Sequence, residues 1–135
     1  MTKKQIDEIC DRYDIRRYNI NSDMSVNVYS DVMISDKQLT KIPLHFNNVE
    51  RDLDCADNLL NNLKGAPKNV GEVFACDHNY LTTLEGSPEY VGDFFNCSHN
   101  ELTSLEYGPD YVHTDFYCYN NELTSLKGVP EKING

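Results

Sequence analysis

The chain has 135 residues, 39% hydrophobic and 25% charged, with 22 acidic against 12 basic side chains and a formal net charge of −10. This length accommodates one self-sufficient domain but not two. No segment approaches the run of about 18 apolar residues that a membrane span requires, and Met1-Thr2-Lys3-Lys4 leads into no apolar stretch, so neither a membrane span nor a secretory signal is expected. The acidic balance disfavours nucleic acid as a ligand, because phosphate binding needs a basic face; a basic protein surface, or a site that normally holds nucleic acid, is the more natural partner.

Residues 3–13 read as an amphipathic helix, with Ile6, Ile9, Cys10 and Tyr13 on one face. Tyr18 to Ile20 and Met24 to Tyr29 read as two short strands around Asn21-Ser22-Asp23. Residues 1–31 are therefore expected to form an N-terminal cap of helix and strands, with Arg16 and Arg17 on its solvated surface.

From residue 32 onward the sequence repeats. Cys55, Cys76, Cys97 and Cys118 lie 21 residues apart, and a full set of columns recurs with them. Asn58, Asn79, Asn100 and Asn121 form one column; Leu60, Leu81, Leu102 and Leu123 a second; Leu63, Leu84, Leu105 and Leu126 a third. Pro67, Pro88, Pro109 and Pro130, then Val70, Val91, Val112 and Ile133, complete each unit, and Leu53, Phe74, Phe95 and Phe116 precede each cysteine by two positions. One period earlier, Val32, Ile34, Leu39, Ile42 and Val49 fall on the core columns of a worn turn in which Lys37 replaces asparagine and Phe46 replaces proline. A fixed short period of this kind specifies a solenoid, because one turn cannot bury its apolar set alone and must stack on its neighbours.

The columns resemble those of the leucine-rich-repeat family, whose signature of leucines around an asparagine appears here as Phe95-x-Cys97-x-x-Asn100-x-Leu102-x-x-Leu105. The short period and the Asn-x-Leu-Thr-Ser-Leu runs at Asn100 and Asn121 resemble its compact bacterial subtype. The Gly-x-Pro turns are similar to those of small repeat proteins from tailed phages. Three departures are evident: Gly71 and Gly92 stand where the family has its first leucine, cysteine stands at a usual leucine or valine, and the Gly-x-Pro turn is distinctive. The resemblance implies a β-rich solenoid over residues 32–135, about five turns of 21 residues, with parallel strands lining a concave binding face.

In Phe95-Asn96-Cys97 the apolar residues alternate, as in a strand with one buried face. Gly65, Gly86 and Gly128 mark the return bend; in the remaining turn Tyr107 takes that place and glycine moves to Gly108, which predicts a local distortion. Residues between the buried columns are expected on the binding face: Asp54, Asp77, His78, Phe94, Asn96, His99, Asp115, Tyr117 and Tyr119, together with Ala56 and Ser98. This surface reads as acidic near the cap and aromatic toward the C-terminal half, with tyrosines of the kind that anchor protein interfaces.

The cysteine column reads as core packing in a reducing, cytoplasmic setting, with no disulfide framework. His78 and His99 beside Asp57 and Asp77 carry ligand types that suit zinc, but no metal-binding spacing accompanies them, and no cofactor is expected. There is no phosphate loop, nucleophile elbow or triad, so the chain reads as non-catalytic. The function expected is binding of another protein, a host factor if the phage resemblance holds, with inhibition or recruitment as the outcome. An acidic nucleic-acid mimic and a self-assembling protein are the alternatives. The C-terminal residues offer no counterpart to the cap, so end-to-end homodimerisation is expected there.

Overall fold

The computed structural model covers residues 1–135 and contains one helix and twelve short strands. Helix α1 (Lys3–Arg12) starts on a capping box: the Thr2 hydroxyl accepts from the Gln5 amide at 3.2 Å while the Gln5 side chain accepts from the Thr2 amide at 2.8 Å. Its inward face buries Ile6 and Cys10, with Ile9 and Tyr13 packed alongside. Strands β1 (Tyr18–Ile20) and β2 (Val26–Val28) form the expected antiparallel hairpin.

The repeat is a parallel β-solenoid of about five turns, beginning at residues 32, 53, 74, 95 and 116. Strands β3 (Val32–Met33), β5 (Leu53–Asp54), β7 (Phe74–Ala75), β9 (Phe95–Asn96) and β11 (Phe116–Tyr117) form a five-stranded sheet, in register at 21-residue steps. Each turn also carries a second strand, absent from the sequence expectations. These are β4 (Phe46–Val49), β6 (Asn69–Val70), β8 (Tyr90–Val91), β10 (Tyr111–Val112) and β12 (Lys132–Ile133). They extend the β1–β2 hairpin into a seven-stranded sheet, because β2 pairs in parallel with β4. The cap is thus hydrogen-bonded into the solenoid.

The apolar columns fill the space between the two sheets. Leu53, Phe74 and Phe95, the three lower cysteines of the ladder, Leu60, Leu81 and Leu102, and Val70, Val91 and Val112 are fully buried. They form one cluster that also takes in Ile6, Cys10, Ile15, Val26 and Val28 of the cap. The worn first turn behaves like the others, with Val32, Ile34, Ile42, Phe46 and Val49 buried. Phe74, Phe95 and Phe116 stack at centroid distances of 5.4 and 5.1 Å.

The asparagine column stitches successive turns together. Asn100 Nδ2 donates to the carbonyls of Cys76, Cys97 and Ser98 at 3.1–3.2 Å, and its Oδ1 accepts from the Leu81 amide at 2.9 Å. Asn58, Asn79 and Asn121 repeat the pattern, and Asn58 accepts from the Lys37 amide of the turn whose own asparagine is missing. Asparagine is required here because both ends of its amide are used where strand pairing stops.

Packing between turns requires glycine at Gly92: a Cβ there would lie 2.0 Å from the Gly71 carbonyl oxygen of the turn below. The return bend holds Gly65, Gly86 and Gly128 at φ of 91–99°. The local distortion expected at Tyr107 is not seen. Tyr107 keeps the left-handed conformation at φ 68°, and the Gly108 amide donates to the Leu105 carbonyl as in the other bends, so the substitution leaves the bend intact and places a non-glycine residue in a strained conformation.

Candidate interaction surface

The outward residues of the five-stranded sheet gather the positions singled out from the sequence. Near the cap the surface is acidic. Asp54 is half-buried, and its carboxylate accepts the Ala56 amide at 3.0 Å. Burial, followed by the charges of Asp77, Asp57 and Asp52, pushes the Asp54 pKa above the ordinary carboxylate value despite that hydrogen bond. Asn96, two turns on, makes the same bond to the Ser98 amide at 3.0 Å.

Toward the C-terminal half the face becomes aromatic. Phe94 and Tyr117 meet edge to face with centroids 5.6 Å apart, and His99 and Tyr119 do so at 5.2 Å. Tyr117 and Tyr119 are 38% and 57% exposed, so these side chains present apolar area to solvent. Asp115 flanks the group: the Tyr117 hydroxyl donates to it at 3.2 Å, and its charge is the first cause of a raised Tyr117 pKa. Asp93 accepts from the Thr114 hydroxyl at 2.8 Å.

His78 and His99 stack with centroids 4.1 Å apart, and His78 Nδ1 lies 2.9 Å from Asp77 Oδ2. Asn120 Nδ2 lies 3.1 Å from His99 Nε2. Backbone geometry accounts for the residue types in this column. Asp36, Asp57, His78, His99 and Asn120 all sit at φ of 52–56°, the left-handed region in which Asp, Asn and His are the favoured non-glycine residues. The stacked rings lie side by side and do not converge on a common point. The three-carboxylate group with ligand atoms within 4.8 Å of one another lies elsewhere, at Asp31, Asp52 and Glu72. There Arg51 Nε is 3.5 Å from Asp31 and its guanidinium 3.8 Å from Glu72, while Asp31 and Asp52 also accept the Asp52 and Val73 amides. Asp31 and Asp52 thus cap strand starts, and Asp31 and Glu72 share the Arg51 guanidinium.

Two positions expected on the face are not on it. Ala56 and Ser98 are buried, whereas Asp77 and Tyr119 of the same column stay accessible: only the longer side chains at this position reach solvent. The Ser98 hydroxyl has no hydrogen-bond partner. The cysteines are core residues as expected. Cys55, Cys76 and Cys97 donate Sγ–H to carbonyls of the next turn at 3.3–3.4 Å. Burial raises their pKa values strongly and that of Cys10 to about 11, which removes thiolate reactivity.

The sequence reading missed a second aromatic row. Tyr90 and Tyr111, on the seven-stranded sheet, stack with centroids 5.0 Å apart, and Lys132 lies 5.8 Å from the Tyr111 ring. The column Asn69, Tyr90, Tyr111, Lys132 was available as a signal, one residue before the buried valines. No helix is long and apolar enough to cross a membrane.

These observations define a class: a two-sheet parallel β-solenoid with an N-terminal helix-and-hairpin cap and a graded acidic-to-aromatic sheet face. Set against known proteins, the chain matches no family model, no curated protein and no solved structure.

Proposed function

We propose that the chain is a non-catalytic interaction module of leucine-rich-repeat type that binds a basic segment of another protein on the outer face of its five-stranded sheet. The observation that carries this reading is the aromatic group of exposed Tyr117 and Tyr119 edge-packed on half-buried Phe94 and His99 and flanked by Asp115. Edge-packed rings are restrained before binding, which limits the entropy lost on association. Carboxylates beside aromatic faces suit an arginine or lysine, which gains both ion pairing and cation–π attraction. If the chain is phage-encoded, the partner is a cytoplasmic host protein and the consequence is its inhibition or recruitment.

A second reading, an acidic mimic of nucleic acid, is favoured by the net charge and by the stacked carboxylates at Asp31, Asp52 and Glu72. A third, self-association through the last turn, is favoured by Leu126 and Val129, which are 66% and 44% exposed. Capture of partners from a bacterial host lysate by wild type and by Tyr117→Ala/Tyr119→Ala, repeated across ionic strength, separates the three. An aromatic interface gives a partner that wild type holds into high salt and the variant loses. A mimic gives a partner lost steeply with salt in both, and self-association gives a concentration-dependent mass by light scattering.

A further inference from the structure

The molecule is acidic, yet a cavity at the return bends carries two lysines and one carboxylate. It has a volume of about 650 Å³ and is built from three turns: His45, Phe46 and Asn47 of the first, Asn62 and residues 64–66 and 68 of the second, and Glu85 and Gly86 of the third. An adjoining cavity of about 470 Å³ shares His45, Asn62, Lys64 and Gly65 and adds Lys41. Neither includes a residue of the five-stranded sheet. Lys41, Lys64 and Lys68 make no ion pair, whereas Arg16, Arg51 and Lys127 each do.

The repeat supplies its own comparison. The column of Lys64 continues as Glu85, Glu106 and Lys127, and that of Lys68 as Glu89, Asp110 and Glu131. Lys127 is neutralised by Glu106 at 2.8 Å. Only in the second turn do both columns carry lysine, and there the two lysines line one cavity with His45, while Lys41 lines the adjoining one. An anion entering a concavity lined by two unpaired ammonium groups is attracted by both. The left-handed glycines keep the wall bare: a Cβ at Gly65 or Gly86 would fall 2.6 Å from the carbonyl oxygen of Leu44 or Leu63. Phe46 and Ala66 supply the apolar floor.

We infer that this cavity binds a small polyanion carrying phosphate or carboxylate groups, held by Lys64 and Lys68 with His45 and Lys41 alongside. Its volume lies in the range of about 300–1,000 Å³ usual for small-molecule sites. Glu85, the one carboxylate on the wall, leaves the site net positive and offers an acceptor to a ligand hydroxyl. This site is independent of the protein-binding face.

The test is an amide NMR titration of the full chain with pyrophosphate and, separately, citrate, with ionic strength held constant by chloride. Lys64→Glu/Lys68→Glu serves as the control, since it installs the residue types that the next turn carries at both columns; Lys64→Gln/Lys68→Gln replaces it if the charge reversal unfolds the chain. Saturable shifts centred on His45, Gly65 and Gly86, weakened about tenfold or more in the variant, are expected. Saturation by pyrophosphate alone assigns a phosphate ligand, and by citrate alone a carboxylate. Shifts that do not saturate, that persist in the variant, or that spread equally over Lys3, Lys4 and Arg12 would overturn the inference.

Discussion

Asn100 holds two turns and the bend between them with a single amide, which makes the asparagine column the most demanding set of side chains in the molecule. Removing it leaves the Leu81 amide without a partner in the interior and takes one of two donors from the carbonyls of Cys76 and Cys97, which Asn79 and Asn121 still serve. Unsatisfied buried groups cost about 1–3 kcal/mol each, with partial relief from relaxation and water. Asn100→Ala is therefore expected to lower the unfolding free energy in urea by about 1–3 kcal/mol. A change below about 0.5 kcal/mol would show that these bonds are dispensable. Asp54 gives a pH-dependent prediction. Its pKa is raised in the folded state, so the folded chain holds the Asp54 proton more tightly than the unfolded chain does. Stability contributed by this group is therefore present at low pH and falls as pH rises from about 4 through the raised value. Asp54→Asn keeps an acceptor for the Ala56 amide, as Asn96 does for Ser98, and is expected to flatten that fall in a urea series against pH. An unchanged slope would contradict the assignment. At this scale the sequence was informative about type and place, but not about cause: the histidines at His78 and His99 looked like candidate ligands, and the structure adds that their column occupies a left-handed corner.

At the scale of the element, the return bend gives the clearest energetic test. Tyr107 occupies a conformation that costs an L-residue about 1–2 kcal/mol, in a column where the other full turns use glycine. Glycine costs about 0.5–1 kcal/mol in added unfolded-state entropy. The Tyr107 side chain is 68% exposed, so little packing is lost with it. Tyr107→Gly is accordingly expected to raise stability by about 0.5–1 kcal/mol in thermal or urea unfolding. Destabilisation would mean that the tyrosine makes contacts that outweigh its backbone strain. The elements differ in how legible they were. The first strand of each turn announced itself by alternation in Phe95-Asn96-Cys97, and the cap by its helical period and its turn. The second strand did not, because a two-residue strand such as Asn69–Val70 carries only one buried side chain and no period can be read from it. Ala56 and Ser98 were misplaced because their column was read as uniform, whereas its small residues are covered and its longer ones, Asp77 and Tyr119, are accessible.

For the whole molecule, the period foretold the stacking, and with it the neighbours across turns that form the sheet face. Cavities assembled from bends of three turns, as around Lys64 and Lys68, are visible only once those bends are placed in space. The two ends of the solenoid also differ. The cap buries its apolar residues in the common core, whereas Leu126 and Val129 of the last turn face solvent. Between the ends, the sheet face passes from Asp31, Asp52 and Asp54 near the cap to Phe94, Tyr117 and Tyr119, so a partner of the proposed kind would meet an acidic region and an aromatic anchor on one sheet. The central claim is that the anchor supplies the affinity. The most direct measurement is the dissociation constant of the captured partner for wild type and for Tyr117→Ala/Tyr119→Ala, after confirming that both proteins have the same thermal midpoint. The account predicts binding weakened by about tenfold or more, or about 1.4 kcal/mol and upward. Equal affinity in the two proteins would contradict it and remove the aromatic face from the binding site.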